Sequence, residues 1–169
     1  MQVRIGPARS VVGDVLVGVG GVATGLVAVD DGFVIDLVGR GVVRTLVGGV
    51  GVLGFCFGGT YAYLVAAEYE PDVAISYYGS GVAGAIDRAE DIECPTLFHF
   101  GGQDPYLPVD QIETIRDAVV GMSHIEILVQ PEGGHAFDNH ASEMFHQPEA
   151  AAAAWTRTAA FLHEHLSGA

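Results

Sequence analysis

Three side chains of this 169-residue sequence have the types and surroundings that nucleophilic chemistry needs. Cys56 lies in Gly54-Phe-Cys-Phe-Gly58-Gly59, a G-x-nucleophile-x-G pattern with a thiol in the nucleophile position. The pattern suits a sharp strand-to-helix turn. Its flanking residues must be small, its sulfur is lifted clear of the backbone, and the helix N-terminus beneath favours a negative sulfur. The N–H of Phe57 would then face a carbonyl oxygen under attack and supply one oxyanion donor. The competing reading is a buried structural cysteine in a Gly-rich turn. Asp104, in Gly101-Gly-Gln-Asp-Pro105, has the type to orient an imidazole, although Asp before Pro also serves as an Asx turn or a helix cap. His135, in Glu132-Gly-Gly-His-Ala-Phe137, sits in a loop whose glycines leave it free to approach a sheet edge; a lone loop histidine is more often a surface residue. Together the three give the order nucleophile, acid, histidine, each following a candidate strand, and that combination points to acyl transfer by a Cys–His–Asp set.

The elements that must position them occupy the chain from Val50 onward. Apolar runs predict buried strands over Val50–Phe55, Val73–Tyr78, Thr96–Phe100 and Ile125–Val129. Helices are predicted over Thr60–Glu70, stopped by Pro71, over Val109–Val120, and over the Ala-rich Glu149–Leu166 opened by Pro148. Strands alternating with helices imply an α/β fold: a doubly wound, mostly parallel sheet with helices on both faces and its ligand at the carboxyl ends of the strands. Residues 49–169 are therefore expected to form the catalytic region. Residues 1–48 differ: Val and Gly make up about half of them, without helical periodicity. They are expected to pack as short strands, for which Val11–Val19, Gly25–Val29 and Gly32–Val38 are candidates, or to be poorly ordered.

Composition excludes several classes. Seven Lys+Arg against 21 Asp+Glu give a formal net charge of -14, which argues against nucleic-acid binding and against an anionic membrane surface. The apolar run from Val15 to Val29 is bracketed by Asp14, Asp30 and Asp31 and is too short and too Gly-rich for a spanning helix. Two cysteines, Cys56 and Cys94, read as free thiols of a cytoplasmic protein rather than a disulfide scaffold. Gly18-x-Gly20-x-x-Ala23 and Gly49-x-Gly51-x-x-Gly54 match a dinucleotide fingerprint only superficially, the first lacking a following helix and the second running into the nucleophile turn. Of the seven histidines, His135, His140 and His146 lack a metal-ligand pattern, and His163 and His165 do not share a helix face. His99 reads as a packed strand residue, and Trp155, Phe161 and Leu162 as the buried stripe of the last helix.

The segments Gly54-Phe-Cys-Phe-Gly-Gly-Thr-Tyr-Ala-Tyr63, Tyr77-Tyr78-Gly79, Phe98-His-Phe-Gly-Gly-Gln-Asp-Pro105 and Gly133-Gly-His-Ala-Phe137 resemble the dienelactone hydrolase (carboxymethylenebutenolidase) family, over about residues 51–166. The resemblance implies an α/β-hydrolase fold, no metal, no organic cofactor and hydrolysis of enol-lactones and related small esters. It assigns Cys56 as nucleophile, His135 as base and Asp104 as orienting carboxylate. Two departures accompany it. The family's longer region before the nucleophile, with an acidic residue that holds the resting thiol and a second oxyanion N–H, has no match here, and Asp30, Asp31 and Asp36 take no role from it. The run His135-Ala-Phe-Asp-Asn139 also lacks the arginine with which some members bind a substrate carboxylate, which favours a broader esterase. The alternative is an inactive or impaired α/β-hydrolase-fold protein without a complete oxyanion hole.

Overall fold

The computed structural model describes residues 14–15, 25–29 and 50–166; the first two segments and Val50 are described by their backbone. Six strands form one sheet in sequence order: β1 (Asp14–Val15), β2 (Gly25–Val29), β3 (Val50–Phe55), β4 (Val73–Tyr77), β5 (Thr96–Gly101) and β6 (Ile125–Gln130). β1 to β3 pair antiparallel, with Gly25 opposite Gly54, and β3 to β6 pair parallel. Helix α1 (Phe57–Tyr69), a 3-10 helix (Ala83–Asp91) and α2 (Val109–Ala118) make the crossovers, and α3 (Pro148–Leu166) follows β6.

β4 and β5 are buried on both faces and largely apolar, whereas the edge strand β6 is half-buried and carries Glu126 and Gln130. Alternate residues face opposite layers. Val52, Ala74, Phe98 and Phe100 pack with Ala62, Tyr63 and Ala66 of α1 and with Ile112 and Ile115 of α2. Leu53, Val73, Ile75, Tyr77 and Leu97 pack with Ala151, Ala154, Phe161, Leu162 and Leu166 of α3. Each large side chain so buried contributes about 1.5–3 kcal/mol.

The observed elements differ from expectation in instructive places. Helix α1 begins at Phe57, three residues before the Thr60 start, because the turn at Cys56 launches the helix directly and overrides the poor propensity of Gly58 and Gly59. It ends as expected, with Glu70 left-handed and Pro71 beyond. Helix α2 closes at Ala118 rather than Val120. The 3-10 helix, kinked at Ala85, was not among the expected elements. Trp155 is not part of the buried stripe: it is 37% exposed, and Ala151, Ala154, Thr158, Phe161 and Leu162 occupy that face. Of the candidate N-terminal strands, Gly25–Val29 is a strand, Asp14–Val15 is the described part of Val11–Val19, and residues 32–38 lie outside the described residues. No helix among the described residues is long and apolar enough to cross a membrane.

Candidate active site

All three candidate residues leave the carboxyl edge of the parallel strands: Cys56 follows β3, Asp104 follows β5 and His135 follows β6. Cys56 has φ 55 and ψ -119, a conformation that costs an L-residue roughly 1–3 kcal/mol and persists only where its surroundings over-determine it. They do so here. The Cys56 N–H donates to the Tyr77 carbonyl at 2.9 Å, and the Cys56 carbonyl accepts from the N–H groups of Gly59 and Thr60. Gly54 must lack a side chain, since a Cβ there would overlap the Gly58 carbonyl on the other limb of the turn. The thiol therefore stands at the N-terminal end of α1, beside the Phe57 amide.

The loops bearing Asp104 and His135 are laced together. Gly102 N–H donates to the Gln130 carbonyl at 2.8 Å and Gln103 N–H to the Gly133 carbonyl at 2.8 Å. Gly101 permits this approach, because the Gly133 carbonyl occupies the space a Cβ would need. The outcome is one chain of contacts. His135 Nδ1 lies 2.8 Å from Asp104 Oδ2, and His135 Nε2 lies 3.1 Å from Cys56 Sγ. Asp104 Oδ1 accepts the Tyr106 N–H at 2.8 Å, so the carboxylate closes an Asx turn with one oxygen and meets the imidazole with the other. Asp104 thus makes the Asx turn and the contact with His135 together. Its side chain is fully buried and that of His135 is 12% exposed, which leaves the carboxylate dry and the imidazole reachable. With its proton on Nδ1, the imidazole would donate to Asp104 and present the Nε2 lone pair to the thiol.

Aromatic rings confine the imidazole. Tyr78 and Tyr106 contact it edge-on, with centroids 5.4 Å and 4.8 Å away. Tyr78 is left-handed at φ 38, and its N–H donates to the His99 carbonyl at 2.7 Å. Burial pushes its phenol well above the ordinary tyrosine range, so it stays neutral. Neither tyrosine carried a role in the sequence reading; Tyr78 lay in the quoted Tyr77-Tyr78-Gly79 segment, and Tyr106 follows the Asp104-Pro105 turn without a signal of its own. Asp138, three residues past His135, is largely buried beside His146 and Tyr78, and burial pushes its carboxyl up to about 6. His99 is buried as expected, and burial brings its imidazole down to about 4. Both cysteines are free. The rings of His140 and His146 meet at 4.3 Å, yet among the described residues no group of three or more His, Cys, Asp or Glu side chains is arranged to hold a metal ion.

Comparison with known proteins identifies the family. The model of the dienelactone hydrolase family matches residues 41–166, three quarters of the chain, starting ten residues ahead of the Gly51 that the motifs indicated. The carboxymethylenebutenolidase of Pseudomonas putida is 35% identical over 95 residues, 56% of this chain and 40% of that protein. That of Rhodococcus opacus is 36% identical over 130 residues, 69% of this chain and 50% of that protein. The chain thus spans about half the length of the curated relatives it matches. A dienelactone hydrolase-like promiscuous phosphotriesterase from metagenomic libraries shares the fold, with a TM-score of 0.61 at 19% identity over 69% of this chain and 52% of the other. With an α/β-hydrolase-like sheet, the matching family model and these relatives, the chain belongs to the dienelactone hydrolase family.

Proposed function

We propose that this protein hydrolyses small esters or enol-lactones through Cys56, His135 and Asp104. The observation that carries the reading is the placement of one imidazole between thiol and carboxylate, 3.1 Å and 2.8 Å away. Family membership supports the reaction class, and relatives named carboxymethylenebutenolidase support lactone or ester substrates.

His135 Nε2 takes the proton of Cys56 Sγ, and the thiolate attacks the carbonyl carbon of the ester. The new S–C bond leaves a tetrahedral oxyanion, to which the Phe57 N–H donates. Asp104 stabilises the imidazolium and keeps its proton assignment. Collapse breaks the bond to the leaving oxygen, which takes the proton from Nε2 and departs as an alcohol or enol. A water then gives its proton to Nε2 and attacks the thioester. The acid is released and the thiol re-forms. With no arginine in the run after His135, the substrate class is small esters at large rather than carboxylated lactones alone.

The test is hydrolysis of p-nitrophenyl acetate by three proteins of verified fold. Wild type is expected to be active and Cys56→Ala to fall to background, a loss of roughly 10³-fold or more. Cys94→Ala, at a buried position outside the site, is expected to retain most of its activity. Mass spectrometry after acid quench should find the acetyl group on Cys56. Equal rates in the two variants overturn the triad, and a folded but inert wild type supports the impaired-enzyme alternative.

A further inference from the structure

His135 stands in a loop that is anchored beyond the imidazole by the buried Phe137 and joined before it to the Asp104 loop through Gly133. Two glycines precede it and Ala136 follows in a left-handed conformation at φ 57. The segment around the imidazole itself is further held by a residue twelve positions on. Gln147 Oε1 accepts the Gly134 N–H at 2.6 Å, and Gln147 Nε2 donates to the Glu132 carbonyl at 2.9 Å. Its main-chain N–H donates to the Phe137 carbonyl at 2.8 Å. One residue thus grips the loop at 132, 134 and 137, on both sides of the imidazole. The same residue begins α3: its carbonyl accepts the Ala151 N–H at 2.9 Å, and Pro148 follows it. Helix α3 is fixed to the sheet by Ala151, Ala154, Phe161, Leu162 and Leu166, so the grip is referred to the core and not to another loop.

We propose that Gln147 is a positioning residue that sets His135 in line with Cys56 and Asp104. The role rests on the acyl-transfer reading above. A primary amide suits both groups chemically. The Gly134 N–H needs an acceptor and the Glu132 carbonyl a donor, and a primary amide supplies both a fixed distance apart, which also settles its orientation. Glutamate keeps the acceptor and sets an anion against the Glu132 carbonyl. Leucine keeps the bulk and offers neither group. A shift of about 1 Å in a reacting group costs on the order of a hundredfold in rate, so loosening the loop should act on turnover more than on binding.

The experiment compares wild type with Gln147→Leu and Gln147→Glu on a neutral p-nitrophenyl ester, beside thermal melts and the pH-dependence of Cys56 alkylation by iodoacetamide, with alkylation of the buried Cys94 reporting any unfolding. For Gln147→Leu, kcat is expected to fall roughly ten- to a hundredfold with KM within about twofold. Alkylation of Cys56 at neutral pH should slow roughly fivefold as its imidazole partner disengages. Gln147→Glu should fall between the two. A folded Gln147→Leu with wild-type kcat and wild-type alkylation overturns the proposal, as does a loss of rate accounted for wholly by the unfolded fraction. Should Gln147→Leu fail to fold, Gln147→Glu decides by the same criteria. A wild type inert toward esters would refute the acyl-transfer reading instead, and the alkylation comparison then decides the clamp by itself.

Discussion

The site is built from residues placed where the backbone would otherwise avoid going. Cys56, Tyr78 and Ala136 all have positive φ, and each stands at the carboxyl edge of a strand or in the loop beyond it. Strain at such positions is held by neighbours. Gly54 makes room for the Gly58 carbonyl, the Tyr77 carbonyl receives the Cys56 amide, and the His99 carbonyl receives that of Tyr78. Asp104 shows how closely a single carboxylate can be committed, with one oxygen on Tyr106 N–H and the other on His135. Asp104→Asn keeps that shape, so its melting temperature should stay within a few degrees of wild type. Its NH2 would face Nδ1 and favour the tautomer with the proton on Nε2, which has no lone pair to offer the thiol. A kcat loss of roughly 10³–10⁴-fold is expected on a neutral ester, and a loss below tenfold would remove Asp104 from the mechanism. At this scale the sequence was informative where chemistry needs a fixed spacing, as in Gly54-x-Cys56-x-Gly58. It was silent on Gln147 and Tyr106, whose roles come from what lies across the fold from them. No spacing encodes the distance from Gln147 to Gly134, because the loop between them folds back on itself.

At the scale of elements, β4, β5 and α3 are tied by a buried hydroxyl. Thr158 Oγ1 lies 2.7 Å from the Tyr77 hydroxyl and 2.9 Å from His99 Nε2, with the Tyr77 and His99 rings 4.4 Å apart. His99 also feels Glu126 and Arg157 from β6 and α3, and burial outweighs both, holding it neutral down to about 4 against an ordinary 6.5. A lowered histidine binds fewer protons folded than unfolded. Its contribution is complete above pH 6.5 and is lost as pH falls through 4. Asp138 has the reverse sign. Facing His140, His146 and Tyr78, it is raised by burial from 3.8 to about 6. The folded state therefore binds more protons, and stability is lost as pH rises from 3.8 through 6. The two slopes oppose each other between pH 4 and 6 and separate only in variants. In denaturation midpoints from pH 4.5 to 7.5, Asp138→Asn should be more stable than wild type above pH 6 by about 1–3 kcal/mol, the gap closing toward pH 4. His99→Gln should lose the acid-side slope. Parallel pH curves for wild type and Asp138→Asn would refute the assignment. The strands themselves were legible because burial on both faces leaves continuous apolar runs such as Val73–Tyr77. The 3-10 helix and the displacement of Trp155 from the buried face were not. The first is broken at Ala85 into two short pieces, and in the second the small Ala154 packs against the sheet while Trp155 remains partly exposed.

At the scale of the whole molecule, charge sets what the site can attract. The formal net charge is -14. The three described arginines are each engaged with carboxylates: Arg88 with Glu68 and Asp91, Arg116 with Glu113, and Arg157 with Glu126 and Glu164. A negative field of this size repels anions over a distance fixed by ionic strength, about 30 Å at 0.01 M and about 8 Å at 0.15 M. Contacts within the site respond to salt only through the charge of the substrate, so the electrostatic part can be separated by pairing two esters with the same leaving group. For p-nitrophenyl acetate, which is neutral, kcat/KM should be flat from 0.01 to 0.3 M NaCl. For the p-nitrophenyl hemisuccinate, which carries a carboxylate, it should rise roughly two- to tenfold over the same range as the repulsion is screened. The sign of that slope is the informative quantity. A fall in kcat/KM for the hemisuccinate with added salt would mean that a positive group close to the thiol outweighs the field of the whole protein. It would turn the substrate class back toward carboxylated lactones. A rise, with the acetate flat, would mean that the acidic surface itself selects for uncharged esters before any contact with the site is made.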